Sequence, residues 1–287
     1  MIKDRPLGRT GKKVRAIGLG AMPMSIRKEG PSEDDAIRTI HASLDAGTDF
    51  IDTADVYCHD NWDIGRNERL IAKALKSWTR GKPLVATKGG LTRPGGAWKR
   101  DAHPKSLRAA CERSLKALGT DAIELYQLHA PDEKVSYEDT VGTLKRLQEE
   151  GKIVHVGLSN VDLAQLDKAL AIVRVESVQN QLNPQDQEDL KSGLVKACAE
   201  RGVSYLPYCP VGGGHGHASL AKNPELLKLA KKHGTSPYCV LLAWSLAQGD
   251  NVIPIPGASR VESAVDSPKA LDVTLSPEDL AVVSGLS

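Results

Sequence analysis

The sequence lacks the usual features of membrane-bound, secreted and nucleic-acid-binding proteins. No apolar run approaches the roughly 20 residues that span a bilayer, and the first residues contain no apolar segment typical of a secretory signal. The 38 Lys and Arg residues are nearly balanced by 36 Asp and Glu residues, which argues against nucleic acid or an anionic membrane as a partner. We therefore expect a cytoplasmic protein that binds neither.

Cysteine and phenylalanine are scarce. Five cysteines are scattered along the chain without a Cys-x-x-Cys pair, so free thiols are expected. A redox role stays open for Cys58 and Cys209, since each follows a tyrosine. The single phenylalanine argues against an aromatic-rich pocket of the kind that would hold a steroid.

The chain also lacks the complete glycine fingerprint of a Rossmann fold, because Pro23 stands where the third glycine should follow Gly18 and Gly20. Length and the alternation of strand and helix patterns favour instead an α/β fold, one (β/α)8 TIM barrel over residues 1–287. A hairpin turn is predicted at residues 7–11, ahead of the barrel. The eight barrel strands are predicted at residues 14–19, 50–52, 84–88, 123–129, 153–158, 177–179, 203–208 and 252–257.

Helix signals separate these strands. Ser32 is predicted as an N-cap with Asp35 three residues later, and Gly119 as the end of the helix that begins at Pro104. Further helices are predicted at residues 161–172 and 187–200, and extra C-terminal helices begin near 260 and 276. Residues 89–103 form a long loop of the kind that often acts as a lid.

Polar side chains that can take part in acid–base chemistry lie at or just after the C-terminal ends of three predicted strands. Asp52 and Tyr57 follow from the second strand, Lys88 ends the third, and His129 ends the fourth. Active sites of α/β barrels are built at this rim. A free tyrosine has a pKa of about 10, and a nearby ammonium group would lower it. Tyr57 is therefore predicted to be a general acid tuned by Lys88, with Asp52 holding the lysine and a neutral His129 orienting a carbonyl.

Residues 210–217 follow predicted strand seven and are rich in glycine. Barrels often hold phosphate at this position, so Pro210 and Gly212 are predicted to belong to a mobile loop over a pyrophosphate. His215 and His217 have the spacing of a metal-ligand pair, but no carboxylate accompanies them, and no metal is predicted. A metal-dependent barrel hydrolase that uses Asp52, His129 and these histidines stays open as an alternative.

The motifs Asp-Thr-Ala-x-x-Tyr, Thr-Lys-Gly and Gln-Leu-His, in this order and at strand ends, resemble those of the aldo-keto reductases. The resemblance runs from Gly18 to Pro254 and implies a barrel closed at the bottom by the N-terminal hairpin. It also implies NAD(P)H-dependent reduction of small aldehydes or ketones to alcohols without a metal. A non-catalytic nicotinamide-binding subunit that senses redox state is a further alternative within this resemblance.

The resemblance also implies cofactor contacts. Ser159, Asn160 and Gln179 align with residues that bond the nicotinamide carboxamide, and Tyr208 with the ring that stacks on it. The remaining candidates lie at or just after the ends of predicted strands one, seven and eight: Gly20, Met22, Pro210, Gly212, Gly257, Ser259 and Arg260.

The resemblance further implies NADPH rather than NAD, because Arg260 completes the Ile-Pro-Gly-x-x-Arg pattern of some relatives. Ser263 and Asp266-Ser267 depart from the residues that relatives frequently carry near adenine. The substrate pocket is predicted to involve Met22, Met24, His59, Trp62 and Trp98. We expect a monomer or a weak homo-oligomer.

Overall fold

The computed structural model describes residues 3–286, apart from the side chains at positions 214, 215, 217 and 218. Eleven strands are assigned within this part of the chain: β1 (Asp4–Pro6), β2 (Lys13–Arg15), β3 (Leu19–Gly20), β4 (Phe50–Asp52), β5 (Leu84–Gly89), β6 (Leu91–Thr92), β7 (Lys99–Arg100), β8 (Ile123–Leu128), β9 (Ile153–Ser159), β10 (Val175–Gln179) and β11 (Ser204–Tyr205).

The α-helices follow the strands, as expected for βα repeats. They are α1 (Glu33–Asp45), α2 (Arg66–Lys76), α3 (Pro104–Leu118), α4 (Tyr137–Glu149), α5 (Leu163–Leu170), α6 (Glu188–Lys191), α7 (Leu194–Glu200), α8 (Gly213–Leu220), α9 (Pro224–Lys232), α10 (Pro237–Leu246), α11 (Val261–Asp266) and α12 (Pro277–Ser284). In residues 3–286, no helix combines the length and apolar character needed to cross a membrane.

Seven strands form one parallel sheet in the order β11-β10-β9-β8-β5-β4-β3. Residues 251–258 join its two edges: Ile253 donates its N–H to Tyr205 O at 2.8 Å, and Gly20 donates to Pro256 O at 2.9 Å. The predicted eighth strand is present only as isolated bridges. Pro254 and Pro256 have no N–H and cannot complete a ladder. The chain therefore has the predicted (β/α)8 barrel fold, closed through this segment.

The N-terminal hairpin of β1 and β2 closes the bottom of the barrel, as predicted. Leu7, in its turn, is fully buried in a cluster with Phe50 and Ile253. The buried Arg5 guanidinium donates to the carbonyls of Leu246 at 2.9 Å and Gly249 at 2.7 Å. These bonds tie the hairpin to the end of α10.

Local capping signals are confirmed. The Ser32 hydroxyl accepts the N–H of Asp35 at 3.1 Å at the start of α1, and Gly119 ends α3 in the left-handed conformation with φ 66°. Other predictions were wrong in their bounds. The first predicted strand, 14–19, is divided between the hairpin strand β2 and the barrel strand β3, and strand 203–208 is reduced to the short β11.

Three loop and helix predictions also differ from the structure. The predicted helix 187–200 is broken into α6 and α7 at Gly193, whose φ of 80° cannot continue a helix. The glycine-rich run that was expected to be a mobile loop instead enters helix α8, after Gly212 with φ 92°. The expected structureless loop 89–103 contains the hairpin of β6 and β7.

Candidate active site

The parallel register brings three predicted site residues to one rim. Asp52 at the end of β4 pairs with Ala86 of β5, and Lys88 of β5 pairs with Gln127 of β8. His129 follows directly after β8, and its N–H bonds to Gly89 O at 2.8 Å. Tyr57 reaches the same place from a turn after β4, where its N–H bonds to Ala54 O.

Lys88 is the centre of this group, and it is completely buried. Its Nζ donates to Asp52 Oδ1 at 2.6 Å, to Thr53 O at 2.9 Å and to the Tyr57 hydroxyl oxygen at 2.8 Å. An ammonium group has three donors and no acceptor. All three donors are therefore used, and the Tyr57 oxygen is the acceptor in its bond with Lys88.

The pKa of Tyr57 differs from the sequence-based prediction. Burial, followed by the charges of Asp52 and Cys209, raises this pKa well above its ordinary value. The expected lowering by Lys88 is not found, because the effect of burial on the Tyr57 pKa is the largest one. Burial penalises the phenolate. Tyr57 is therefore held in the protonated form.

His129 is neutral in this setting. Its ring lies 5.7 Å from the Tyr57 ring, edge to face, and the residue is 8 % exposed. Burial, and then the charge of Lys88, lowers the pKa of His129 well below its usual range. Its Nδ1 is buried and has no hydrogen-bond partner among the described residues. A neutral imidazole next to the phenol could orient a carbonyl oxygen, and this role of His129 stays a prediction.

Sequence reasoning missed Gln127. Its amide Nε2 donates to Asp52 Oδ2 at 3.1 Å, beside the bond of 2.8 Å from Gln179 Nε2 to the same oxygen. The two amides satisfy the carboxylate oxygen that Lys88 does not contact. A signal was available, because Gln127 lies two residues before His129 and alternate strand residues share a face.

The predicted carboxamide-binding residues border the same group. Asn160 Nδ2 donates to His129 O at 2.8 Å and to Ser159 Oγ at 3.2 Å. Tyr208 donates its hydroxyl to Asn160 Oδ1 at 2.9 Å. Because Gln179 uses its Nε2 on Asp52, its carbonyl oxygen is the atom left to accept an N–H. An amide ligand would find acceptors here, since Asn160 Oδ1 can take a second bond.

Tyr208 presents its ring near the same rim. Burial, followed by the effect of Cys209, raises the pKa of Tyr208 to about 12. The backbone at Cys209 has a φ of 51°, which turns the chain sharply after Tyr208.

The glycine candidates lie at close backbone approaches. Gly20 and Gly257 form a parallel bridge where the barrel closes. A Cβ at Gly20 would meet Ile255 O at 2.7 Å, and one at Gly257 would meet Pro23 Cγ at 2.7 Å. Both glycines are therefore required by the barrel closure itself, apart from any ligand.

The remaining cofactor candidates are spread around this rim. Met22 packs against the cluster that contains Tyr57, Pro210 is buried and Gly212 precedes α8. Ser259 is half-buried, and Arg260 is an exposed N-cap residue of α11. In the described part of the chain, Arg260 makes no ion pair, so its guanidinium is available to an anion.

The predicted pocket residues separate into two groups. The Trp98 ring lies 6.4 Å from the Tyr57 ring and 6.0 Å from the His129 ring. Trp62 is 76 % exposed, and His59 also faces solvent. Met24 is a core residue packed with Ile40 and Leu70, so its prediction as a pocket residue was wrong.

The described residues contain no group of three or more His, Cys, Asp or Glu that could hold a metal. The side chains of His215 and His217, which carried the metal-dependent alternative, lie outside the described residues.

Comparison with known proteins places these features in a family. The model of the aldo/keto reductase family matches residues 16–287. A probable aldo-keto reductase from Glycine max is 35 % identical over 307 residues, covering 97 % of this chain and 87 % of the relative.

Among solved structures, a thermostable aldo-keto reductase crystallised with the inhibitor epalrestat is 29 % identical, with a TM-score of 0.84 and 99 % of each chain covered. An aldo-keto reductase from Klebsiella pneumoniae in complex with NADPH is 25 % identical. Its TM-score is also 0.84, with 99 % of this chain and 94 % of that chain covered. The chain belongs to the aldo/keto reductase family.

Proposed function

We propose that the protein reduces aldehydes or ketones to alcohols with NADPH, and that Tyr57 donates the proton. The observation that carries the proposal is the use of all three Lys88 donors on Asp52, Thr53 O and the Tyr57 oxygen. Because Lys88 cannot accept a hydrogen bond, the Tyr57 hydrogen points away from it. That hydrogen is therefore free to serve a carbonyl oxygen.

The proton transfer is favourable even though the pKa of Tyr57 is raised. An alkoxide is a much stronger base than a phenolate, so Tyr57 remains the stronger acid at the moment when the alkoxide forms. The Lys88 bond then stabilises the phenolate that is left. His129, neutral and next to the phenol, positions the carbonyl oxygen before the transfer.

The cofactor is assigned from family membership and from the fit of the rim residues. When bound, NADPH supplies the hydride that reduces the carbonyl carbon. Ser159, Asn160 and Gln179 would hold the carboxamide, and Tyr208 would cover the ring face. Arg260, exposed and without an ion pair in residues 3–286, would bind the 2′-phosphate and favour NADPH over NADH. The relative crystallised with NADPH supports this choice.

The test is Tyr57→Phe, assayed by the loss of NADPH absorbance with a panel of aldehydes and ketones. General acid catalysis contributes about 10²–10⁴-fold, so turnover should fall by that factor while NADPH affinity is kept. Tyr137→Phe is the matched control, because it removes a buried phenol hydroxyl in α4 that has no hydrogen-bond partner among the described residues. Near-normal turnover in Tyr57→Phe would reject the assignment.

The same assays separate the two alternatives. NADPH binding without turnover of any carbonyl would favour a redox-sensing subunit. Activity that depends on a metal found in the purified protein would favour a hydrolase. Tighter binding of NADH than of NADPH would contradict the cofactor assignment.

A further inference from the structure

Arg93 carries a charge that no acidic side chain in residues 3–286 neutralises through an ion pair. It follows β6, and the residue is only 6 % exposed. Its buried Nε has no hydrogen-bond partner, and its guanidinium makes no hydrogen bond elsewhere in the described chain. Burial lowers the pKa of Arg93, opposed by the influence of Cys58 and Asp60. The two terminal nitrogens of Arg93 therefore remain available as hydrogen-bond donors to a ligand.

The position of Arg93 relates it to the active site. Its guanidinium carbon lies 4.0 Å over the Trp98 ring. The same ring is 6.4 Å from Tyr57 and 6.0 Å from His129. One indole side chain therefore separates the guanidinium from the two residues that are proposed to handle the carbonyl oxygen.

Arg93 is also held in place by its backbone. Its N–H donates to Asn61 Oδ1 at 2.6 Å, and its carbonyl accepts the Asn61 N–H at 3.2 Å. The nearby Asp60 carboxylate bonds to backbone through its Oδ1, which accepts the N–H groups of Asn61 at 2.5 Å and Gly95 at 3.1 Å, and it forms no ion pair with Arg93. The local backbone therefore places the arginine without neutralising it.

The stacking geometry leaves the arginine able to bind a ligand. The Arg93 guanidinium carbon lies over the Trp98 ring, and the N–H donors of a guanidinium lie in its own plane and point outward. Such a planar set of donors matches carboxylate and phosphate oxygens, often in pairs. Trp98, which is 48 % exposed, would line the path between that anion and Tyr57.

We propose that Arg93 binds a carboxylate or phosphate group of the substrate, several bonds away from the carbonyl that is reduced. The inference rests on the proposed carbonyl reduction and narrows its substrate class to anionic aldehydes and ketones. It makes Arg93 a specificity-determining residue that distinguishes charged from neutral substrates of similar size.

The test compares matched substrates in steady-state assays with NADPH. Succinic semialdehyde is paired with butanal for the carboxylate, and glyceraldehyde 3-phosphate with glyceraldehyde for the phosphate. Charge-assisted hydrogen bonds predict that Arg93→Met lowers the anionic-to-neutral ratio of kcat/KM by about 10- to 100-fold. Arg93→Lys keeps the charge but loses the planar donors, so it should recover part of the ratio.

Arg100→Met is the matched control, since Arg100 lies in the same hairpin and pairs with Glu133 at the surface. It should leave the ratio unchanged. Whichever substrate pair shows the larger loss identifies the anion. An unchanged ratio in Arg93→Met, with turnover of neutral carbonyls intact, would overturn the Arg93 proposal and leave the reductase assignment standing.

A binding measurement covers the case in which no carbonyl is turned over. Calorimetric titration with 4-hydroxybutanoate and with butanol, both in the presence of NADPH, reports the anion site without chemistry. The wild-type protein should bind the acid at least about 10-fold more tightly than the alcohol, and Arg93→Met should lose that preference. Equal binding of the two probes by the wild-type protein would also overturn the proposal, whatever the outcome for the reductase assignment.

Discussion

Among the charge pairs at the rim, the ion pair between Lys88 and Asp52 should be the most costly to break, because both side chains are buried. Their side chains are 0 % and 3 % exposed, and their atoms are 2.6 Å apart. Removing one partner of a buried pair typically costs about 3–5 kcal/mol, because it leaves an uncompensated charge. For a chain of this size, that corresponds to a fall in Tm of very roughly 6–10 °C.

The structure specifies why Asp52→Asn is not a mild change. Asp52 accepts hydrogen bonds on both oxygens, from Lys88 on one and from the amides of Gln127 and Gln179 on the other. Asparagine offers a single oxygen, so one side of this network must face an N–H group instead of an acceptor. Lys88→Met keeps the length of the side chain but leaves the carboxylate without its cation.

The assay is a double-mutant cycle in urea, with the free energy of unfolding extrapolated to water. Each single variant should lose about 3 kcal/mol or more of unfolding free energy. The double variant Asp52→Asn/Lys88→Met should lose clearly less than the sum, because neither member of the pair is left as an unpaired charge. Arg38→Met is the control. Its partner is Asp35, the two side chains are 65 % and 50 % exposed, and the expected loss is within about 0.5 kcal/mol. Small, additive effects of the two single variants would refute the reasoning.

Two further predictions follow from buried groups near the site. The proposed reduction requires protonated Tyr57 and neutral His129. The raised pKa of Tyr57 keeps its proton up to high pH, and the lowered pKa of His129 keeps its ring neutral down to low pH. The pH profile of kcat/KM should therefore be flat between about pH 6.5 and about pH 10, and an inflection inside that range would contradict these directions. Gly89→Ala would place a Cβ 2.0 Å from the Tyr126 hydroxyl and 3.0 Å from Tyr126 Cζ, which predicts a loss of about 1–3 kcal/mol through overpacking. Tyr126→Phe removes a buried hydroxyl that has no partner in the described chain, so this change alone should be tolerated. Combined with Gly89→Ala, it should restore part of the lost stability, measured by urea unfolding. If it restores none, the clash lies elsewhere.

Much of the fold could be predicted from the sequence because its signals are local. Ser32 and Gly119 act through hydrogen bonds and backbone angles within one or two helical turns. Strand ends could also be aligned, since parallel βα repeats bring all C-terminal strand ends to one rim. Asp52, Lys88 and His129 were placed together by that rule alone.

The errors in the predicted fold arise where a residue type has two possible structural roles. Pro254 and Pro256 read as part of an apolar strand, but their missing N–H groups leave only bridges at the barrel closure. Gly193 lies within an otherwise continuous helical pattern and interrupts it by adopting a positive φ. The run after Gly212 reads as a loop by composition and is helical in the folded chain.

The sequence by itself determined which side chains meet at the barrel rim, because strand periodicity and chain direction decide that. Only the tertiary structure decided how those side chains behave. It showed that Lys88 pairs with Asp52 at 2.6 Å, that burial raises the pKa of Tyr57, and that Arg93 is 6 % exposed without an ion pair in residues 3–286. Charge interactions and desolvation depend on distances through space and on the exclusion of water, and neither quantity is encoded in the spacing of residues along the chain.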